Sequence, residues 1–395
     1  MKIAANPCLA QPESKCAGRK AEIFPDVAGF RLAVGNRATT MKRPMQNPFP
    51  FLRCLTVVAC WAAAGAGQGL TATPAEAQKA RLQKESPDSP ERMELARVQI
   101  LLDRAFFRPG KIDGLGGEFT QKAADRYCLA HNLPAGTRFD VSGIPSPYRD
   151  YTITADDEAG IGPQASGPQA QEKLQAMLYG DLWELVAERF HCDLDFLHEL
   201  NPSVPENGLA AGTVLRVPDV TEFQLSEVAA LEKQRRDEEK ARKAAAAPSP
   251  GATPPIAPAP PASRLVLLRP ERLIEVWEGD RMVACFPCTP GSREVPVPAG
   301  RWKVTANILL PYFRWDKSVL ETGVRSETAF NLPPGPNNPV GIVWIAINRP
   351  SVGMHGTPTP DQIGRNESHG CIRLANWDAF ILSQLVAKGT PVEVR

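Results

Sequence analysis

Histidine is scarce in this chain, with five residues among 395. None of the five is spaced with cysteines as in a zinc site, so the sequence predicts no metal centre. Charge of one sign is also lacking: 45 basic residues face 44 acidic ones, which favours neither nucleic acid nor an anionic membrane surface as a partner. The apolar stretch at residues 54–66 has 13 residues. A membrane-spanning helix needs about 20, so this stretch is too short to be one.

The first 77 residues have the pattern of an export signal behind an extension. Met41 opens a basic stretch that ends at residue 53, the apolar residues 54–66 follow, and small residues suited to a signal peptidase come next. We expect residues 1–40 to be an unstructured upstream extension and residues 41–77 to be a signal peptide, with Met41 as the true start. Lipidation at Cys60 is an alternative. The pattern predicts an exported protein of the periplasm or cell envelope, without a transmembrane span after signal removal.

The clearest chemistry lies between residues 355 and 371. His355 precedes Gly356 and Thr357, and Cys371 follows 16 residues after His355, directly behind Gly370. A thiol is only slightly ionised near neutral pH, so a nucleophilic cysteine needs a neighbouring base such as imidazole. Gly370 leaves room for substrate and for amide N–H groups that could hold an oxyanion. A single cysteine is more often a buried apolar residue, but this pattern indicates catalysis.

These residues resemble the signature of the L,D-transpeptidases, the YkuD-type cysteine enzymes of bacterial cell walls. The resemblance rests on His-Gly-Thr at 355–357 and Ser-His-Gly-Cys-Ile-Arg-Leu at 368–374. It extends through Pro-Gly-Pro-Asn-Asn-Pro-Val-Gly at 334–341 to residues 388–394, and so covers most of residues 263–395. It implies a mostly-β catalytic domain at the C terminus, working without a metal or cofactor.

The resemblance also implies a role for each matching residue. Cys371 matches the nucleophile, His355 the general base, Gly356 the backbone carbonyl that orients the imidazole, and Gly370 an amide of the oxyanion hole. Substrate contacts are expected from Arg373, Ser368, His369 and Trp344. His369 is the alternative base, but it is poorly placed to reach the sulfur because it lies two positions from Cys371 on a tight turn.

Two smaller modules precede the catalytic domain, so the chain is predicted to be multidomain. Residues 92–148 combine helical patterns with a Gly-Lys-Ile-Asp-Gly turn and resemble the small helical peptidoglycan-binding domain. Residues 151–218 resemble a LysM module, a small α+β domain, with an insertion at about residues 155–179. Its helices are expected at 182–190 and 194–200, between strands at 151–154 and 212–218. A generic α+β spacer is the alternative for this module.

Residues 219–262 are predicted to link these modules to the catalytic domain. Residues 222–243 have the composition of a charged, solvated helix, and seven prolines among residues 248–261 favour an extended tether. Beyond the linker, short apolar or alternating runs predict strands at 264–268, 273–277, 281–287, 300–306 and 342–348, and one clear helix at 376–386. Cys285 and Cys288 form a C-x-x-C pattern, but the strand context favours packing over redox chemistry.

Taken together, the resemblance implies an exported L,D-transpeptidase acting on peptidoglycan stem peptides. Cys371 would be acylated by a tetrapeptide stem with release of D-alanine, and the acyl group would pass to an amine during cell-wall cross-linking or remodelling. Carbapenem-type inhibitors are expected to acylate the same thiol. Two alternatives remain, an L,D-carboxypeptidase that uses water as the acceptor and a wall-binding scaffold with an idle catalytic domain.

Overall fold

A computed structural model shows how most of the chain after residue 73 folds. The described residues are 74–245, 264–291, 297–318, 324–350, 352–365 and 370–395. The predictions for the extension, for nearly all of the signal peptide and for the proline-rich tether therefore lie outside the described residues. Across these ranges, every helix is too short or too polar to cross a membrane.

The first module is built on helices that pack in two directions. Its helices are α1 (Pro74–Leu82), α2 (Pro90–Arg104) and α3 (Glu118–Ala130). Ser89 caps α2, since its side chain accepts a hydrogen bond from the Arg92 backbone N–H. One side of α2 packs on the second module through Ala96 and Ile100. Leu102, at its C-terminal end, packs with α3 against the catalytic domain.

The second module is a two-stranded sheet with four short helices. Its elements are β1 (Tyr148–Thr152), α4 (Ala155–Glu158), α5 (Pro168–Gln171), α6 (Leu182–Arg189), α7 (Leu194–Leu200) and β2 (Val214–Pro218). β1 and β2 pair in antiparallel fashion. The two helices expected here are confirmed as α6 and α7, and Asp181 and Asp193 cap their N termini. β1 starts three residues earlier than predicted, because Tyr148 already pairs with Pro218.

The insertion at residues 155–179 ties this module to the catalytic domain. The backbone N–H of Met177 donates to the Pro334 carbonyl oxygen at 2.9 Å, and the Asn337 N–H donates to the Met177 carbonyl oxygen at 3.0 Å. Gly335 has a φ of +149°, and a Cβ there would lie 2.1 Å from the Met177 oxygen. The segment 334–341 is therefore shaped to receive the insertion.

The C-terminal part is mostly β, as expected. Its strands are β3 (Arg264–Leu268), β4 (Leu273–Glu278), β5 (Arg281–Pro287), β6 (Thr289–Pro290), β7 (Gly300–Leu309), β8 (Phe313–Trp315), β9 (Phe330–Leu332), β10 (Val343–Ile347), β11 (Gly353–His355), β12 (Ile372–Arg373) and β13 (Pro391–Val394). Nine of them form one sheet in the order β5-β4-β3-β13-β7-β10-β11-β12-β6, and β8 pairs with β9. β7 joins the two halves of the sheet because residues 300–303 pair with β13 and residues 304–309 pair with β10.

Among the described residues of this domain, one buried helix lies in the core. It is α9 (Asn376–Leu385), whose Trp377 and Leu382 are buried among strand residues such as Ile345 and Val392. The apolar face of α9 and the inward faces of the strands exclude water together, which is the main stabilising contribution of such a cluster.

The charged helix before the tether is not solvated along its whole length, and that part of the prediction was wrong. The helix is present as α8 (Leu225–Ala245), but Val228 is fully buried in the catalytic core and Leu231 packs against the same cluster. Arg235 also donates from its guanidinium to the Ser383 carbonyl oxygen at 3.2 Å. The high charge of the sequence concealed the positions at helical spacing that face the domain, which include Val228, Leu231 and Arg235.

The C-x-x-C pair lies in a strand environment, as predicted. Cys285 is in β5 and packs with Leu102 and Phe107 of the first module, whereas Cys288 is buried in the catalytic core. The two thiols therefore belong to different clusters, and burial raises the pKa of each.

Candidate active site

Three neighbouring strands bring the predicted site residues to one face of the sheet. Trp344 is the antiparallel partner of His355, and His355 is the parallel partner of Arg373. Side chains alternate along each strand and partners share a face, so these three side chains lie on the same side. The opposite side carries buried apolar residues of the core: Ile345, Met354 and Ile372.

Cys371 joins this face from the residue before β12. Ile372 pairs with Met354, so the parallel register sets Cys371 beside Gly353, whose backbone N–H faces the thiol. With strands about 4.8 Å apart and about 3.3 Å per residue, the Cα atoms of Cys371 and His355 are roughly 8 Å apart. Imidazole and thiol side chains that point to the same side can bridge such a diagonal distance.

The thiol of Cys371 is the accessible one among the described cysteines. Cys128, Cys192, Cys285 and Cys288 are buried, whereas Cys371 is partly exposed. A nucleophile needs contact with substrate, so accessibility favours Cys371 among these five.

His355 is buried and is held by two contacts. Its side chain is only 4% exposed, and Nδ1 lies 2.6 Å from the carbonyl oxygen of Gly356. A carbonyl oxygen can only accept, so Nδ1 carries the proton and Nε2 keeps its lone pair. The Trp344 indole stacks on the imidazole with ring centroids 5.5 Å apart and planes 19° from parallel. His355 is thus presented as an acceptor in one tautomer and one orientation.

The surroundings keep both groups neutral near pH 7. The pKa of His355 is lowered to about 4, mainly by burial; the Gly356 carbonyl offsets part of this effect, and the Arg373 charge adds to the lowering. Burial raises the pKa of the Cys371 thiol, and the Gly353 N–H and Arg373 only partly oppose the rise. The arrangement therefore suits a thiol that gives its proton to the imidazole as it attacks, rather than a preformed thiolate.

Comparison with known proteins finds similarity over the C-terminal part of the chain. Residues 263–394 match the YkuD family, described as the L,D-transpeptidase catalytic domain. These residues are an L,D-transpeptidase catalytic domain.

Curated relatives match over the same region. The chain is 28% identical over 123 residues to the "Putative L,D-transpeptidase YkuD" of Bacillus licheniformis, which covers 31% of this chain and 59% of that protein. It is 42% identical over 62 residues to the "Probable L,D-transpeptidase YbiS" of Escherichia coli, over 16% of this chain and 20% of that protein. The match thus spans about three fifths of the first relative and one fifth of the second.

Solved L,D-transpeptidases are matched at a low level. L,D-transpeptidase 3 from Mycobacterium tuberculosis is 20% identical with a TM-score of 0.29, and the alignment covers 35% of this chain and 62% of that chain.

The L,D-transpeptidase domain brings together five of the eight residues proposed for the site: Trp344, His355, Gly356, Cys371 and Arg373. Arg373 is half-buried, and this burial lowers the pKa of its guanidinium. Gly370 has a φ of +88°, in the left-handed region that glycine adopts without strain. Ser368 and His369 lie outside the described residues.

Gly353 is a site residue that the sequence analysis missed. A Cβ on Gly353 would lie 2.7 Å from Cζ2 of Trp344 and 3.0 Å from the Ile345 carbonyl oxygen. The indole can therefore lie over the strand and reach His355 only because residue 353 has no side chain. The available signal was a glycine two positions before His355, on the same face of one strand.

A second buried polar cluster lies away from this face, at the junction of the modules. Nδ1 of His191 is 2.9 Å from Oδ2 of Asp103, and Arg108 bridges Asp103 and Asp378 at 2.5 and 3.3 Å. His191 also stacks on Trp377 with centroids 5.2 Å apart. These buried contacts join residues of the first two modules to α9. No group of three or more ionisable ligands suited to a metal occurs among the described residues.

Proposed function

We propose that the chain is an exported cysteine L,D-transpeptidase that acts on peptidoglycan stem peptides. The observation that carries the proposal is the strand register that sets a partly exposed thiol on the same sheet face as a buried imidazole anchored through Nδ1. The family match at residues 263–394 supports acyl transfer as the reaction class.

The first half-reaction is acylation of Cys371. Its Sγ attacks the carbonyl carbon of the bond before the terminal D-alanine of a tetrapeptide stem, while the thiol proton moves to Nε2 of His355. The C–S bond forms and the C–N bond breaks. The leaving nitrogen takes the proton from His355, so free D-alanine departs and a thioester remains.

The second half-reaction transfers the acyl group to an amine. The acceptor nitrogen attacks the thioester carbon and gives a proton to Nε2 of His355. The new C–N bond forms, the C–S bond breaks, and the sulfur recovers its proton from the imidazolium. During both halves the Gly356 carbonyl accepts from Nδ1 and stabilises the transient positive charge on the ring.

The other residues of the face supply binding. The Gly370 amide N–H is proposed to donate to the oxyanion, and Arg373 to hold a peptide carboxylate with its planar fork of donors. Trp344 offers an apolar wall beside His355. Ser368 and His369 are proposed as further substrate contacts next to the nucleophile.

Water as the acceptor would give an L,D-carboxypeptidase instead, and an idle domain would leave a wall-binding scaffold. The test incubates the purified full chain with tetrapeptide muropeptides and reads the products by mass spectrometry. Cys371→Ala and His355→Gln remove the two reacting groups, and Cys128→Ala is the matched control because it removes a buried thiol from the first module.

Each outcome selects one reading. Cross-linked dimers with the wild type and Cys128→Ala, and none with Cys371→Ala, support the transpeptidase. Tripeptide without dimer selects the carboxypeptidase. No product from any protein that remains folded refutes both enzymes and leaves the scaffold.

Two related proposals use the same protein. Carbapenems are proposed to acylate Cys371, and intact-mass measurement of an active wild type after incubation should show the adduct while Cys371→Ala stays unmodified. Residues 92–148 and 151–218 are proposed to bind the cell wall, and export to the periplasm or envelope would bring them to it. Binding is supported if the wild type sediments with purified sacculi and variants with changed exposed residues in these modules do not. Binding is refuted if the wild type does not sediment with the sacculi.

A further inference from the structure

The side chain of Asn376 is fixed in one orientation at the start of α9. It is fully buried, and its Nδ2 donates to both carboxyl oxygens of Glu188 at 3.1 Å and to the Pro336 carbonyl oxygen at 3.2 Å. Its Oδ1 accepts from the Ile342 N–H at 3.3 Å. Three acceptors lie on one side and a donor on the other, so a flipped amide would lose all four contacts.

Asn376 also fills the space between two glycines. A Cβ on either Gly341 or Gly356 would lie 2.1 Å from Oδ1 of Asn376, and Gly341 has a φ of +59°. The amide is therefore packed directly on the backbone of Gly356. Gly356 is the residue whose carbonyl oxygen holds Nδ1 of His355 at 2.6 Å. A shift of the Asn376 side chain would move that carbonyl.

The group that holds Asn376 comes from the second module. Glu188 lies in α6 and is 6% exposed. Besides Asn376, its Oε1 accepts from the Tyr179 hydroxyl at 2.8 Å. Glu184, one turn earlier, is the other ionisable neighbour, and its Oε2 accepts from the Gly180 N–H at 2.6 Å. Burial raises the pKa of Glu188 to about 8, so the carboxyl group is mostly neutral at neutral pH and acts through hydrogen bonds.

We propose that Glu188 is a positioning residue for the general base: through Asn376 it fixes the Gly356 carbonyl and thereby the orientation of His355. This inference rests on the proposed function. It makes the second module part of the active-site support rather than only an anchor, since the final contact in the series is made by a residue outside the L,D-transpeptidase domain.

The experiment compares variants of the full chain that separate hydrogen bonding from packing. Glu188→Leu keeps approximate volume but removes both acceptor oxygens, whereas Glu188→Gln keeps one acceptor for Asn376. Glu206→Gln is the matched control, because Glu206 lies exposed in the same module. The readouts are the His355 tautomer by ¹⁵N NMR, the pH dependence of iodoacetamide alkylation mapped to Cys371, and kcat and KM for transpeptidation.

We expect Glu188→Leu to show a mixture of His355 tautomers and a kcat about 10- to 100-fold lower with little change in KM, as a misplaced catalytic group produces. In the same variant, the pH dependence of the rate of Cys371 alkylation should differ from that of the wild type. Glu188→Gln should stay within about threefold of wild type, since the acceptor is retained. Glu206→Gln should match wild type in every readout.

The proposal is overturned if folded Glu188→Leu keeps the wild-type tautomer and kcat. It is also overturned if Glu188→Leu and Glu188→Gln lower thermal stability and kcat equally while the His355 tautomer is unchanged, because Glu188 would then contribute only through packing. If Glu188→Leu does not fold, Tyr179→Phe decides: a partial tautomer shift supports the proposal, and none refutes it. The NMR and alkylation measurements need no peptidoglycan. If the wild type shows no transpeptidation but Glu188→Leu still shifts the His355 tautomer, the proposed function is refuted and the positioning role is retained.

Discussion

The low pKa of His355 makes the protein's stability depend on acid in a specific way. The ordinary value is 6.5, and burial lowers the pKa in the folded protein to about 4. As the pH falls, the unfolded chain therefore takes up this proton first. The stabilisation is present in full above about pH 6.5 and is lost as the pH falls towards about 4. At about 1.4 kcal/mol per pH unit, the difference between the two pKa values corresponds to about 3.5 kcal/mol when the titration is complete.

Urea unfolding at neutral pH and near pH 4 measures this effect when wild type is compared with His355→Gln. Glutamine can still donate to the Gly356 carbonyl but takes up no proton, so it removes the titration and keeps the contact. Other buried groups, such as His191 and Asp378, titrate equally in both proteins and cancel in the comparison. We expect wild type to lose about 3 kcal/mol more than His355→Gln between the two pH values.

The same pKa should appear in the chemistry. A general base works only while it is neutral, so the acid limb of Cys371 acylation should fall near pH 4 rather than near 6.5. An NMR titration of His355 with a midpoint near 6.5, or equal pH dependence of unfolding in wild type and His355→Gln, would refute the reasoning.

Three substitutions test the packing that supports the site. Gly353→Ala should push the Trp344 indole away, because the added Cβ would lie 2.7 Å from it, and single-turnover acylation should fall by about 10-fold or more. Gly364→Ala should lower the free energy of unfolding, measured in urea, by about 1–3 kcal/mol, since Gly364 has a φ of +72° and the added Cβ would lie 2.3 Å from Phe119. Adding Phe119→Leu to the same chain should restore part of this loss. Val228→Ala should cost about 2 kcal/mol in the same assay, because Val228 is fully buried in the catalytic core.

Each of these has a clear contrary result. A wild-type acylation rate in Gly353→Ala would mean that acylation does not depend on the observed position of the Trp344 indole. Additive effects of Gly364→Ala and Phe119→Leu would show that Phe119 of the first module does not pack against Gly364. Gln234→Ala, at an exposed position of the same helix as Val228, is the control for helix propensity, and equal costs at both positions would contradict burial of α8.

Strands and helices of the catalytic domain were predictable because their patterns are local. The strands at 264–268 and 281–287 have the predicted bounds, and α9 ends one residue before the prediction. Short strands near the site were not predicted. β12 has only two residues and is defined by its partners β6 and β11 rather than by its own composition.

The solvated helix was mispredicted for a related reason. Charged residues dominate α8, and the buried Val228 and the partly buried Leu231 are too few to outweigh them in the composition of the helix. Which face of such a helix is covered depends on what folds against it, and the sequence of the helix does not contain that information.

The sequence by itself was enough to predict Cys371 as the nucleophile and His355 as its base, because both residues and their glycines lie within one short segment. Only the tertiary structure decided how the pair is held. Gly353 makes room for Trp344 across two strands, and Glu188 reaches Asn376 from another module, 188 positions away along the chain. Such contacts join residues with no fixed sequence spacing. They arise when strands pair and modules pack, and that packing also sets the burial that keeps His355 neutral.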